Sequence, residues 1–303
     1  MRLGRPWRIR RVRWLPLSSG VMLRLPSAVV SAAWLRDHAD RPDLRIVDLR
    51  WSLTGPPGRD GYDAGHLPGA IFLDLDAELA GDPSRGPGRH PLPSANDLAE
   101  ALGGHGIGDE HAVVAYDDAG GSVASRLWWL FRHWGHEAAV LDGGISAWTD
   151  AGGDLTTEVP AHPPATWTPR PPRDDVVDHE EVIRRRDAGA AVLDARAAER
   201  YRGEVEPVDP RAGHIPGARS AAWTGNLAPD GALLAPEQLR ARYAALDAGA
   251  GSEPIAYCGS GVNATHAILA MHLAGIEGLL YEGSWSDWAS REQLPAATGA
   301  EEG

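Results

Sequence analysis

Cys258 is the only cysteine in the chain, and it opens the run Cys258-Gly259-Ser260-Gly261-Val262-Asn263. A lone cysteine is more often an inert buried hydrophobe than a nucleophile, so its surroundings must decide. The short apolar run ending at Tyr257 reads as a strand, and residues 264–274 read as a helix, apolar on most of its surface. Small residues between the two let the backbone curl so that successive N–H groups face one point, a nest suited to anions. The helix N-terminus adds partial positive charge there. Both features favour a thiolate over a thiol. A structural cysteine before an ordinary turn would not need this glycine pattern, so the chemistry indicated is a nucleophilic sulfur in an anion-binding loop.

The elements that must hold such a loop emerge from an internal repeat. Ile46-Val47-Asp48-Leu49-Arg50 recurs as Val192-Leu193-Asp194-Ala195-Arg196. Ala64-Gly65-His66-Leu67-Pro68-Gly69-Ala70 recurs as Ala212-Gly213-His214-Ile215-Pro216-Gly217-Ala218. Val113-Val114-Ala115-Tyr116-Asp117 matches Pro254-Ile255-Ala256-Tyr257-Cys258, and Val140 to Gly144 with Trp148 matches Leu280 to Ser284 with Trp288. Short apolar runs alternating with helical patterns, such as 125–134, predict an α/β fold: two tandem units, each a mostly parallel sheet flanked by helices. The His-Leu/Ile-Pro-Gly-Ala segment reads as a turn, with His214 its structural anchor. Prolines 160, 163, 164, 169, 171 and 172 cannot continue a helix or central strand, which marks the connector. The expected division is a basic tail at 1–21, one unit at 22–155, a linker at 156–173 and a second unit at 174–303.

The 303 residues suit two domains, and 43% hydrophobic with 23% charged residues is a globular composition. A net charge of −13 argues against a nucleic-acid partner. No apolar run is long enough to span a membrane. One cysteine makes no internal disulfide and no thiolate metal cluster, so neither metal nor cofactor is expected and a reducing cytoplasm is the expected location. The tail holds six Arg and no acid but lacks the apolar stretch of a secretory signal, and Met22 is the expected true start. All 29 basic residues are Arg; there is no Lys.

The tandem repeat, the His-Leu/Ile-Pro-Gly-Ala turns and a cysteine loop in the second copy only resemble the rhodanese-type sulfurtransferases. The resemblance runs from about residue 23 to residue 292. It implies that the first copy, with Asp117 in place of Cys258, is inactive, and that the second carries sulfur as a Cys258 persulfide. Thiosulfate-using members carry a Cys-Arg-Lys-Gly-Val-Thr loop, whereas the uncharged loop here is similar to the Cys-Gly-Ser-Gly-Val-Thr loop of the 3-mercaptopyruvate sulfurtransferases, with Asn263 replacing Thr. The resemblance further implies that Ser260 works with a His and an Asp of the first copy. His66 fits the first of these, with turn-anchoring as its alternative role, and Asp60, or else Asp63, fits the second. It also implies that Arg200, which has no counterpart in the first copy, binds the substrate carboxylate, with Gly259, Gly261, Val262 and Asn263 forming the cradle. Arg196 is matched by Arg50, so a structural ion pair with Asp194 is expected. The expected donor is 3-mercaptopyruvate, with thiosulfate or a non-catalytic persulfide carrier as alternatives. The acceptor is left open among cyanide, a small thiol and a thioredoxin-like protein. A cysteine phosphatase would need Arg where Ala264 stands.

Overall fold

The computed structural model describes residues 22–301; the basic tail expected at 1–21 lies outside the described residues. The first half of the chain runs β1 (Val29–Val30), α1 (Ala32–His38), β2 (Leu44–Asp48), α2 (Gly58–Ala64), β3 (Ala70–Phe72), α3 (Leu75–Glu78), α4 (Ala95–Gly104), β4 (Ala112–Tyr116), α5 (Ala124–His133), β5 (Ala138–Leu141) and α6 (Gly144–Asp150). The second half repeats the scheme as β6 (Val176–Val177), α7 (His179–Asp187), β7 (Val192–Asp194), α8 (Ala198–Tyr201), β8 (Ala218–Ser220), α9 (Pro236–Ala244), β9 (Ile255–Tyr257), α10 (Asn263–Leu273), β10 (Leu279–Tyr281) and α11 (Ser284–Ser290). Each half folds its five strands into one sheet, in the orders β1-β5-β4-β2-β3 and β6-β10-β9-β7-β8. The named strands pair in parallel throughout, and the second order is the first with each number raised by five.

Central strands buried on both faces need continuous apolar runs, and β4 (Ala-Val-Val-Ala-Tyr) is buried at every position. Each sheet has an outer apolar cluster of its own, whereas the inner faces share a single core that includes Leu127, Trp129 and Phe131 of α5 and Ile268, Leu269 and Met271 of α10. That shared core explains why both helices are apolar over most of their surface. Each packs on its own sheet and on the other helix, and Ser125 Oγ meets Thr265 Oγ1 at 3.0 Å between them. Residues 157–173 form no helix or strand and lie along the first half, where Trp167 is buried and Ala165 N donates to Gly103 O (3.0 Å).

The repeated landmarks form one local device. Arg50 grips both oxygens of Asp48 and donates to the carbonyl of Gly65 (2.8 Å); Arg196 does the same with Asp194 and Gly213 (2.5 Å). The aspartate at the end of a strand thereby fixes the turn that follows. His66 and His214 complete it, each donating Nδ1–H to a carbonyl (Tyr62 and Tyr201, 2.8 Å each) and stacking on that same tyrosine.

The loop after β4 closes on itself. The buried Asp117 carboxylate accepts from the main-chain N–H groups of Ala119 (2.9 Å), Gly121 (2.8 Å), Val123 (2.8 Å) and Ala124 (2.9 Å). Asp117→Ala would leave these donors bare, at about 1–3 kcal/mol for each one left unsatisfied. The expected loss in urea unfolding is about 3 kcal/mol or more, with Asp117→Asn intermediate; a loss below about 1 kcal/mol would show that the carboxylate does not hold the loop.

Candidate active site

Cys258 follows β9, the strand that corresponds to β4, and the residue is 1% exposed. The loop carbonyls turn outward into the start of α11: Trp285 N donates to Cys258 O and Ser286 N to Gly259 O, both at 2.9 Å. Cys258 N is itself taken by Ser284 Oγ (3.1 Å). Gly261 has φ +78°, and a Cβ there would lie 2.5 Å from the carbonyl oxygen of Glu282, so only glycine fits. Val262 is buried and Asn263 is the first residue of α10. The N–H groups of Gly259, Ser260, Gly261 and Val262 donate to no protein acceptor among the described residues. In the first half Asp117 fills the equivalent loop with its own carboxylate. The Cys258 loop is a nest of the same kind without a carboxylate of its own, and a negatively charged sulfur on Cys258 fits it.

Ser260 Oγ meets a histidine, and it is His90. His90 Nδ1 lies 2.7 Å from Ser260 Oγ, and Nε2 lies 2.8 Å from Asp76 Oδ1. Burial, the largest influence, lowers the His90 pKa; Arg126 and Arg89 push the same way and Asp76 opposes them. A neutral ring with Nε2–H on Asp76 leaves Nδ1 free to accept the Ser260 hydroxyl proton, as a general base requires. Asp76 is aimed by α3: Asp74 caps the helix by accepting from Asp76 N and Ala77 N, and Glu78 reaches back to Asp74 N (2.7 Å). Trp51 Nε1 holds the second Asp76 oxygen at 2.9 Å.

His90 reaches the second half on a loop pressed against α11. A Cβ on Gly88 (φ +72°) would sit 2.4 Å from Gly283 O; Arg89 N donates to Ser286 Oγ (3.1 Å) and Leu92 N to Glu282 Oε2 (3.0 Å). The expectations for His66 and for Asp60 or Asp63 are corrected here. Both His66 ring nitrogens face main-chain carbonyls, of Tyr62 and Glu158 (3.1 Å), so the ring anchors its turn and does not meet Ser260. Asp60 is exposed on α2, and Asp63 is exposed and paired with Arg59 (2.8 Å). The turn motif diverted attention from His90, although His90, unlike His66, has no counterpart in the second copy.

Arg200 does reach the loop, with Arg89 beside it. A Cβ on Gly259 would lie 3.2 Å from Arg89 Nη2 and 3.4 Å from Arg200 Nη1. Both guanidinium groups pair with Asp209, and Arg200 also with Glu206 (2.6 Å). Their Nε atoms are buried without a hydrogen-bond partner among the described residues. Two arginines, one from each half, therefore flank the loop mouth, each with a buried Nε–H not yet used. Arg196 is occupied by Asp194, as expected from its match with Arg50. No cluster of His, Cys, Asp or Glu able to hold a metal occurs among the described residues.

Comparison with known proteins identifies the family of the repeated fold. The model of the rhodanese-like domain matches residues 31–151 and again 178–291. A Pseudomonas aeruginosa protein with the provisional name of a 3-mercaptopyruvate sulfurtransferase is 43% identical over 89% of this chain and 98% of its own length. A Mycobacterium tuberculosis protein provisionally named a thiosulfate sulfurtransferase is 39% identical over 89% of this chain and 97% of its own. The solved structure of the Escherichia coli 3-mercaptopyruvate enzyme superposes with a TM-score of 0.76 at 30% identity, covering 86% of this chain and 99% of that one. The chain belongs to the rhodanese family, as a sulfurtransferase built from two rhodanese-like domains in tandem.

Proposed function

We propose that the protein moves sulfur from 3-mercaptopyruvate to a thiophilic acceptor through a persulfide on Cys258. The Cys258 thiolate attacks the thiol sulfur of the donor, the new S–S bond forms and the S–C3 bond breaks. The bonding pair passes to C3 as the pyruvate enolate. The proton leaving the donor sulfur reaches C3 by way of Ser260 and His90, giving pyruvate and the Cys258 persulfide. An acceptor thiolate or cyanide then takes the outer sulfur and restores the thiolate. The observation that carries the donor choice is the Ser260–His90–Asp76 relay. An enolate needs a proton as it forms, whereas sulfite leaves thiosulfate as a stable anion and needs none.

The charge at the loop mouth supports the same donor. Arg89 and Arg200 are balanced by Glu206 and Asp209, a neutral cluster that can turn its bare Nε–H groups to one carboxylate but offers no net charge to a dianion. Two cations beside the loop, rather than the one expected, together with the Mycobacterium relative, are what favour thiosulfate as the second reading. We place the domains at 22–155 and 174–303 with 156–173 as linker, a division supported by the repeated sheet. No helix among the described residues is long and apolar enough to cross a membrane. A single thiol without a disulfide suits a reducing compartment such as the cytoplasm.

Incubation with 3-mercaptopyruvate should add one sulfur atom to the protein, removable by cyanide, and none to Cys258→Ser; intact-mass spectrometry decides this, and an adduct on the Ser variant would displace Cys258 from its role. The relay has a separate signature. His90→Asn should lower kcat/KM for 3-mercaptopyruvate by about 10²–10⁴ while thiosulfate use falls less than about tenfold, and His66→Asn should reduce stability with little change in kcat. Equal losses for both donors in His90→Asn, or a wild-type enzyme with the higher kcat/KM for thiosulfate, would transfer the proposal to thiosulfate. Arg200→Ala should raise KM for either donor by about 10–100-fold, the equivalent of one charge-assisted hydrogen bond.

A further inference from the structure

Arg126 of α5 is fully buried in the domain that lacks a cysteine, and it has no ion-pair partner among the described residues. Its guanidinium donates only to main-chain carbonyls: Leu79 (3.3 Å), His90 (3.0 Å), Pro91 (3.2 Å) and, across the domain interface, Gly261 of the Cys258 loop (3.2 Å). Removing a cation from water is costly, and a long apolar side chain would fill the space at less cost. Packing alone therefore does not account for arginine here.

The internal repeat supplies an independent comparison. Arg126 stands nine residues before the helix-terminating Gly135, and His266 stands nine before Gly275. The partners correspond as well, since His266 Nε2 reaches across to Gly120 O (3.1 Å) in the Asp117 loop. Each of the two helices thus sends one side chain to the opposite loop, on either side of the Ser125–Thr265 contact. Their charges differ. Burial holds His266 down to about 4, so it is neutral where Asp117 already satisfies its loop. Arg126 remains a cation even though burial lowers it to about 10, and it lies within electrostatic reach of the Cys258 sulfur and of Glu282.

We infer that Arg126 is a positioning residue through which the cysteine-free domain serves the reaction: it ties the His90–Pro91 main chain to Gly261 and holds a fixed positive charge near the Cys258 sulfur. The inference rests on the reading of Cys258 as the sulfur carrier. The geometric role sets the Ser260–His90 distance, and the electrostatic role favours both the attacking thiolate and the persulfide anion. Other charged groups near the loop are Arg89, Arg200, Asp209 and Glu206 at its mouth, His90 with Asp76 at Ser260, and Glu282 beyond Gly261. Among these cations, Arg126 alone has no carboxylate on it from the described residues.

The only thiol in the chain makes the test direct. Iodoacetamide should alkylate Cys258 about tenfold more slowly in Arg126→Gln than in wild type near pH 7. The same variant should lose at least tenfold in kcat for 3-mercaptopyruvate, with KM changed less than threefold. Arg126→Lys, which keeps the charge but not the fork, should restore the alkylation rate to within about threefold while kcat stays low. If Arg126→Gln does not fold, Arg126→Lys decides. An alkylation rate tenfold below wild type near neutral pH would overturn the electrostatic role, and a wild-type kcat would overturn the positioning role. Alkylation that is the same in wild type and folded Arg126→Gln would likewise overturn the inference. Alkylation reads the sulfur without any donor, so failure of 3-mercaptopyruvate to load the wild-type protein would count against the donor assignment and leave this inference standing.

Discussion

A turn of main chain with its N–H groups left unmet sets the terms for the rest of this molecule. Buried donors without acceptors are costly, and the first domain shows the ordinary remedy, a carboxylate in the middle of the nest. In the second domain the donors stay open, and the loop must be held from outside. The start of α11 takes its carbonyls, Ser284 takes the N–H of Cys258, and Gly261 adopts a backbone that brings it against Glu282. Those contacts leave the inward face of the loop free for charge on sulfur.

Holding the loop is a task shared by both domains, which is why they do not behave as beads on a string. A single apolar core runs between α5 and α10, and the buried Ser125–Thr265 contact lies within it. Beside that seam the chain from Gly88 to Leu92 crosses to α11 and delivers Arg89 and His90 together. The first domain has no cysteine but supplies His90, the carboxylate that fixes its ring and one of the two cations at the mouth. It remains half of the site.

Electrostatic balance then narrows the chemistry. The mouth pairs two guanidinium groups with two carboxylates, so it can orient a small anion without storing uncompensated charge. The deeper site holds a neutral hydroxyl–imidazole pair that can carry a proton. That division of labour suits a donor whose leaving group must be protonated, and suits less well one that departs as a stable anion.

The tandem α/β plan and the Cys258 loop were legible in the sequence because both rest on local patterns: strand-length apolar runs, glycine at forced backbone positions, and landmarks repeated in order. The Asp194–Arg196 pair was legible for the same reason, since two residues on one strand end cannot avoid each other. The histidine partner was not. The His66 turn carries the stronger motif, yet its ring is used up by the carbonyls of Tyr62 and Glu158, and His214 likewise anchors its own turn on the carbonyl of Tyr201. His90, Asp76 and Arg89 sit in segments with no repeat and no motif, and they become a site only when a loop crosses to the other domain. Their lack of counterparts in the second copy, the same feature that singled out Arg200, was the one signal available. Sequence determined which backbone could cradle a sulfur anion; the packing of one domain on the other decided which side chains meet it, because contacts between residues 170 positions apart are fixed by the shared core and not by spacing along the chain.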